Sequence, residues 1–225
     1  MYDLVTGPLA WLAFTVFFVG LAVRLVRYIR GLDWQKDRVT YRVNTSYGVK
    51  GALRSIVFWL VPYKTSGWRT NPVMTVLFFV MHVGLLVTPI FLKAHNYMLH
   101  DAFGISLPTI PDGLADLLTI AVMAAALFIL LRRLALPEVR IITDWKDILV
   151  LAIAVAPFVT GFCAYHEVGS YDFWIVAHIL SGEIMLVAIP FTKLSHFLLF
   201  FLSRAQLGMD FGIKRGGMKN KGFAW

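Results

Sequence analysis

Apolar positions along this chain gather into five long runs, at about 9–29, 72–93, 114–132, 147–165 and 172–202, separated by short polar segments. A helix needs roughly 17–25 predominantly apolar residues to cross a bilayer, and each run meets that length. The pattern predicts an all-α integral membrane bundle of five transmembrane helices in a single domain spanning 1–225. The first run opens on MYDLVTGP, has no basic segment ahead of it and ends in Arg24, Arg27 and Arg30. It therefore reads as a retained span and not as a cleavable signal.

The intervening segments are punctuated differently. ALRSIVFWLVPYK is apolar over about ten residues, too short to span. Arg54 and Lys64 flank Phe58 and Trp59 there, which predicts an interfacial helix over about 51–62 lying in the membrane plane. A helix that docks a partner is the alternative. The segment 93–113, KAHNYMLHDAFGISLPTIPDG, reads as a loop because Pro108, Pro111 and Gly113 disfavour helix. The segment 133–146 reads as a compact loop with a turn at Pro137, and 203–225 as a glycine- and lysine-rich tail. No internal repeat is visible.

Composition agrees with this reading. The 225 residues are 59% hydrophobic and only 15% charged, with a mean hydropathy of +0.72, more apolar than a soluble domain of this length requires. The net charge of +8 is distributed unevenly. Nineteen of the 21 Lys and Arg residues fall in three segments, 24–71, 132–146 and 203–225. By the positive-inside rule these segments and the C-terminus face the cytoplasm, and the N-terminus lies outside. This asymmetry, with anionic lipid headgroups, accounts for the charge, so no nucleic-acid partner is implied. Cys163 is the sole cysteine, which excludes a disulfide, a cysteine-held iron–sulfur cluster and a CxxCH haem attachment. In its apolar run it reads as a packing residue.

Imidazoles are costly in hydrocarbon and mark functional sites. His82 and His95 lie on or just past the second run, and His178 and His196 on the fifth. A spacing of 18 residues puts His178 and His196 on one face of a continuous helix, about 27 Å apart along its axis. The two runs are antiparallel, so His95 and His178 fall near the outer surface, and His82 and His196 fall deeper or inward. A lone histidine at a span end is ordinarily an interfacial hydrogen-bonded side chain. Four at paired depths suit two b-type haems with a histidine on each axial side.

His82 and His95 are 13 residues apart, on different faces of a straight helix, and the intervening Pro89 can reorient them by a kink. His100, 18 residues after His82, is the alternative outer ligand. Gly84 and Gly182 would let a flat macrocycle approach the backbone. Arg24, Arg27, Arg132 and Arg133 are candidates for haem propionates. Lys93, Asp101 and Glu183 are candidates for a quinone site, and His166 reads as a surface residue or a proton-carrying group.

RRLALPEVRIITDWKDILVLAIAVAPFVTGF and HILSGEIMLVAIPFTKLSHFLLFF resemble the gamma (cytochrome b) subunit of respiratory nitrate reductase. MYDLVTGPLAW, RYIRGLDW, AHILSGE, PFTKLSH and SRAQLGMDFGIKRGG are similar, over essentially the whole chain, to the cytochrome-b-like subunits of transmembrane redox complexes of sulfate-reducing bacteria. Those complexes include the high-molecular-weight cytochrome complex and the tetrahaem cytochrome complex.

The resemblance implies two haem b groups, with the fifth-span ligands at His178 and His196 and the inner second-span ligand at His82. It also implies exchange with a quinone, menaquinone, in the bacterial inner membrane. The partners it implies are a cytoplasmic iron–sulfur protein, a periplasmic multihaem cytochrome c and other integral membrane subunits. The nitrate reductase subunit spaces its second-span histidines by ten residues, where this chain has Leu92. A haem-free membrane anchor or a small transporter is the competing reading; the chain shows no inverted repeat of the kind transporters carry.

Overall fold

The computed structural model describes residues 2–32 and 45–214. The polar stretch 33–44 and the basic tail beyond Lys214, both expected above on the cytoplasmic side, lie outside the described residues. Among the described residues the fold is helical with no strand.

Five helices are long and apolar enough to cross a membrane. They are α1 (Tyr2–Arg30, with a π-helical turn over Val5–Leu9 that takes in Pro8), α4 (Pro72–Phe91), α6 (Asp112–Ala135), α8 (Trp145–Tyr165) and α9 (Tyr171–Phe191). Between them stand α2 (Thr45–Leu60), α3 (Ser66–Thr70), α5 (Lys93–Phe103) and α7 (Pro137–Arg140), and α10 (His196–Lys214) ends the described chain. Phe18 and Leu117 leave more than 60% of their surface uncovered, as does Phe173. That exposure suits lipid and would be costly in water. The protein is a multi-pass membrane protein whose helices contact lipid.

Sequence expectations change at several element boundaries. The second apolar run stops at Phe91, because Leu92 is extended (φ −66°, ψ 135°). His95 therefore sits on a separate helix, α5. The expected loop 93–113 is helical in its first half, since KAHNYMLHDAF contains neither proline nor glycine; Gly104, at φ 67°, ends α5 in the left-handed conformation that glycine favours.

The fifth run also stops early, at Phe191. Thr192 is extended and its hydroxyl accepts from the Leu194 N–H (3.2 Å), a local bond that competes with helix. A 3-10 turn over Lys193–Ser195 follows. His178 and His196 are thus on two helices, and the one-face, five-turn argument for them fails. The helix expected at 51–62 begins earlier, at Thr45.

The described chain forms two compact units, Met1–Val16 with Leu77–Ala188, and Phe17–Val76 with Ile189–Trp225. In the first, α6 and α8 form a hairpin through α7. Small buried residues allow the close approach, with Ala115, Thr119, Val122, Ala125 and Ala126 on α6 and Ala154, Pro157 and Ala164 on α8. Arg133 ties the hairpin end by donating to Thr143 Oγ1 (3.2 Å) and lying 3.7 Å from Asp147. Asp147 in turn accepts from the Asp144 N–H, closing the first turn of α8.

In the second unit α2 packs along α10. A Cβ on Gly208 would stand 2.3 Å from the Gly51 carbonyl oxygen, so the backbones touch there. Arg204 Nε donates to the fully buried Ser55 hydroxyl (3.2 Å), and its guanidinium lies 4.8 Å from the Trp59 ring centroid.

Candidate functional site

The first unit brings His95 and His178 together. Their ring centroids are 5.9 Å apart with planes 12° from parallel. How each ring is held follows from the backbone beneath it.

A helix leaves its last four carbonyls without intrahelical partners. At the end of α4 all four are taken. Thr88 O accepts from the Leu92 N–H (3.0 Å) and Phe91 O from the Ile110 N–H (3.0 Å). Ile90 O accepts from Asn96 Nδ2 (3.0 Å), and Pro89 O from His95 Nδ1 (2.8 Å). The Asn96 side-chain oxygen, Oδ1, also accepts from the Leu107 N–H (2.9 Å), tying down the loop beyond α5. His95 is therefore a helix cap as well as an imidazole on display.

His178, seven residues into α9, donates from Nδ1 to Pro157 O on α8 (2.9 Å). Gly161, one turn further along α8, leaves the room this needs: a Cβ there would stand 2.9 Å from both His178 Cε1 and Nδ1. A carbonyl can only accept, so Nδ1 carries the proton in each ring. In a neutral imidazole this leaves Nε2 with the lone pair that a metal takes. Two imidazoles on opposite sides of one metal, with bonds of about 2.0–2.1 Å, have centroids about 6 Å apart, a separation that two stacked rings also have. The pair has the spacing and the free ring nitrogen that a shared metal requires.

His82 donates from Nδ1 to Phe78 O (2.7 Å) and His196 to Lys193 O (2.8 Å). All four histidines singled out above share this Nδ1-to-carbonyl arrangement. His82 and His196 belong to different units. His100 and His166 are held differently. His100 Nδ1 meets the Ser106 hydroxyl at 3.1 Å, and His166 Nε2 meets Asp116 Oδ1 at 2.9 Å. His166 is thus engaged in a pair the sequence gave no sign of.

Gly84 does not leave space for a macrocycle. A Cβ there would stand 2.3 Å from Val122 Cγ2, so its role is the contact of α4 with α6; Gly182 has open space around it. Lys93 Nζ pairs with Asp112 at 2.9 Å, and that carboxylate raises the lysine pKa through its hydrogen bond. Lys93 also lines a cleft of about 380 Å³ with Asn96, Tyr97, His100, Ser106 and Thr109. Asp101 is exposed outside that lining. Glu183 is half-buried, and its Oε1 has no hydrogen-bond partner among the described residues. Of the propionate candidates, Arg133 is committed to Thr143 and Asp147, Arg24 and Arg132 are half-buried, and Arg27 is exposed.

A protein of Nitratidesulfovibrio vulgaris (strain Hildenborough), described simply as "Protein", is 51% identical over 226 residues, covering 100% of both chains. The chain belongs to that protein's family. No protein-family model matches it, and no solved structure does.

Sequence reasoning passed over Pro157, Gly161 and Asn96. A proline followed one turn later by a glycine inside an apolar run was the available signal for the first two. Asn96 had none, since its role depends on where α4 stops.

Proposed function

We propose that this chain is the b-type cytochrome subunit of a respiratory complex in a bacterial inner membrane, and that His95 and His178 are the axial ligands of one of its two haem b groups. The observation that carries the reading is the parallel pair of imidazoles, each with Nδ1–H committed to a backbone carbonyl and Nε2 left as the lone-pair nitrogen. The resemblance assigns the remaining ligands to His82 and His196, each tethered the same way within its own unit. A haem held by such a pair supplies one-electron transfer. Pro89, Asn96, Pro157 and Gly161 set the depth and plane of the rings.

The cleft that Lys93 and His100 line would take a quinone, menaquinone, with Lys93 as its contact; Asp101 and Glu183 are the further proton-handling candidates. Electrons would pass between the quinone pool or a periplasmic multihaem cytochrome c and a cytoplasmic iron–sulfur protein, alongside other integral membrane subunits. The basic segments 24–71 and 132–146 and the C-terminus would face the cytoplasm.

An offset aromatic pair in a haem-free anchor also has centroids about 4.5–7 Å apart, so the test is spectroscopic. Purified protein should give a b-type reduced-minus-oxidised signal equivalent to two haems. His95→Ala and His178→Ala should each remove the same half of it, and His100→Ala should leave it whole. A colourless protein, or a signal indifferent to both substitutions, would sink the reading in favour of the anchor.

A further inference from the structure

Helix α2 carries three distinct stripes. Gly48, Gly51 and Ser55 are buried, and the last two meet α10. Val49, Leu53, Val57 and Leu60, at helical spacing of four, four and three, form a second stripe that is 49–58% exposed. Lys50, Arg54 and Phe58, four apart, form the third stripe between the other two. The helix is not among those long and apolar enough to span. An apolar stripe left bare beside a basic one is the pattern of a helix lying at a membrane surface.

The basic stripe has an unusual local arrangement. The Arg54 guanidinium lies 4.9 Å from the Phe58 ring centroid and Lys64 Nζ lies 5.8 Å from the same centroid. Tyr63, at φ 62° in the left-handed region, turns the chain just ahead of Lys64. One ring thus carries two like charges, and no carboxylate pairs with either among the described residues. Two cations gathered on one ring repel each other, and the group that neutralises both and does not itself donate is an anionic oxygen.

We propose that Lys50, Arg54 and Lys64 bind the phosphate of an acidic phospholipid, whose acyl chains lie along Val49, Leu53, Val57 and Leu60. The apolar stripe beside the cations selects a lipid over free phosphate, and the cations select an acidic headgroup over a zwitterionic one. This site is independent of the haem reading.

Native mass spectrometry of the full chain in detergent, with phosphatidylglycerol, phosphatidylcholine and inorganic phosphate as probes, tests it. Phosphatidylglycerol should be retained in preference to phosphatidylcholine, and Arg54→Gln and Lys64→Gln should each weaken retention about fivefold. Lys64 is exposed, so Lys64→Gln alone keeps the test valid should Arg54→Gln fail to fold. Equal retention of phosphatidylcholine, displacement by inorganic phosphate, or indifference to Lys64→Gln would overturn the proposal. So would a photo-crosslinker at position 53 that captures a protein subunit, and no lipid, in native membranes.

Discussion

At the scale of single residues, two prolines set the stage for the histidine pair. Pro89 lies three residues from the point where α4 stops, so its carbonyl is open to a side chain, and His95 takes it. Pro157 offers its carbonyl to His178 beside a glycine that makes room for the ring. Gly161→Ala should force the imidazole aside at an overpacking cost of about 1–3 kcal/mol. A lowered thermal midpoint in detergent is the expected result and, on the proposed haem reading, an altered signal from one haem only. Asn96→Ala would strand the Ile90 carbonyl and the Leu107 N–H, costing roughly 1–3 kcal/mol, read as the drop in the same midpoint. The histidines themselves were visible in the sequence as polar residues in apolar runs. Their acceptors were not: the Pro89 carbonyl lies open because α4 ends at Phe91, and the Pro157 carbonyl, inside α8, meets His178 only through the packing of α9 on α8.

At the scale of elements, hydropathy found the helices and misjudged their ends. The run 172–202 reads as one span because Thr192, Lys193 and Ser195 interrupt it too briefly to lower its average. The hydroxyl of Thr192 nevertheless ends the helix, and the common-face argument for His178 and His196 goes with it. Segment 93–113 failed in the opposite sense, since Pro108 and Pro111 coloured the reading of residues ahead of them. Close approach between helices was equally hidden: Gly84 looked like space for a cofactor and is filled by Val122. Gly84→Leu should therefore destabilise the α4–α6 contact, and pairing it with Val122→Ala should recover part of the loss. Gly208→Leu should be worse and beyond such rescue, because its neighbour is the Gly51 backbone. Thermal unfolding of the purified variants separates the two cases.

For the whole molecule, five spans were legible because the bilayer imposes a length and apolarity that local sequence must meet. Sidedness rests on the Lys and Arg distribution alone. In a Cys163→Ala background, a cysteine at Ser106 should react with a membrane-impermeant maleimide from outside intact cells, and one at Ser203 only after lysis. The reverse pattern would invert the topology and move the cleft proposed for quinone to the cytoplasmic face. The grouping into two units was not legible, since α1, α4 and α9 each contribute residues to both.

The main-chain clamps on His95 and His178 have a consequence for assembly. Neither ring can swing half a turn about its Cβ–Cγ bond without forfeiting its carbonyl, so the clamps predict that an entering porphyrin would meet rings already aimed. A porphyrin-starved host should thus yield a chain already in its finished shape. Limited proteolysis of that chain should give the same fragments before and after adding hemin, whereas a receptacle moulded by its contents would change its cutting pattern.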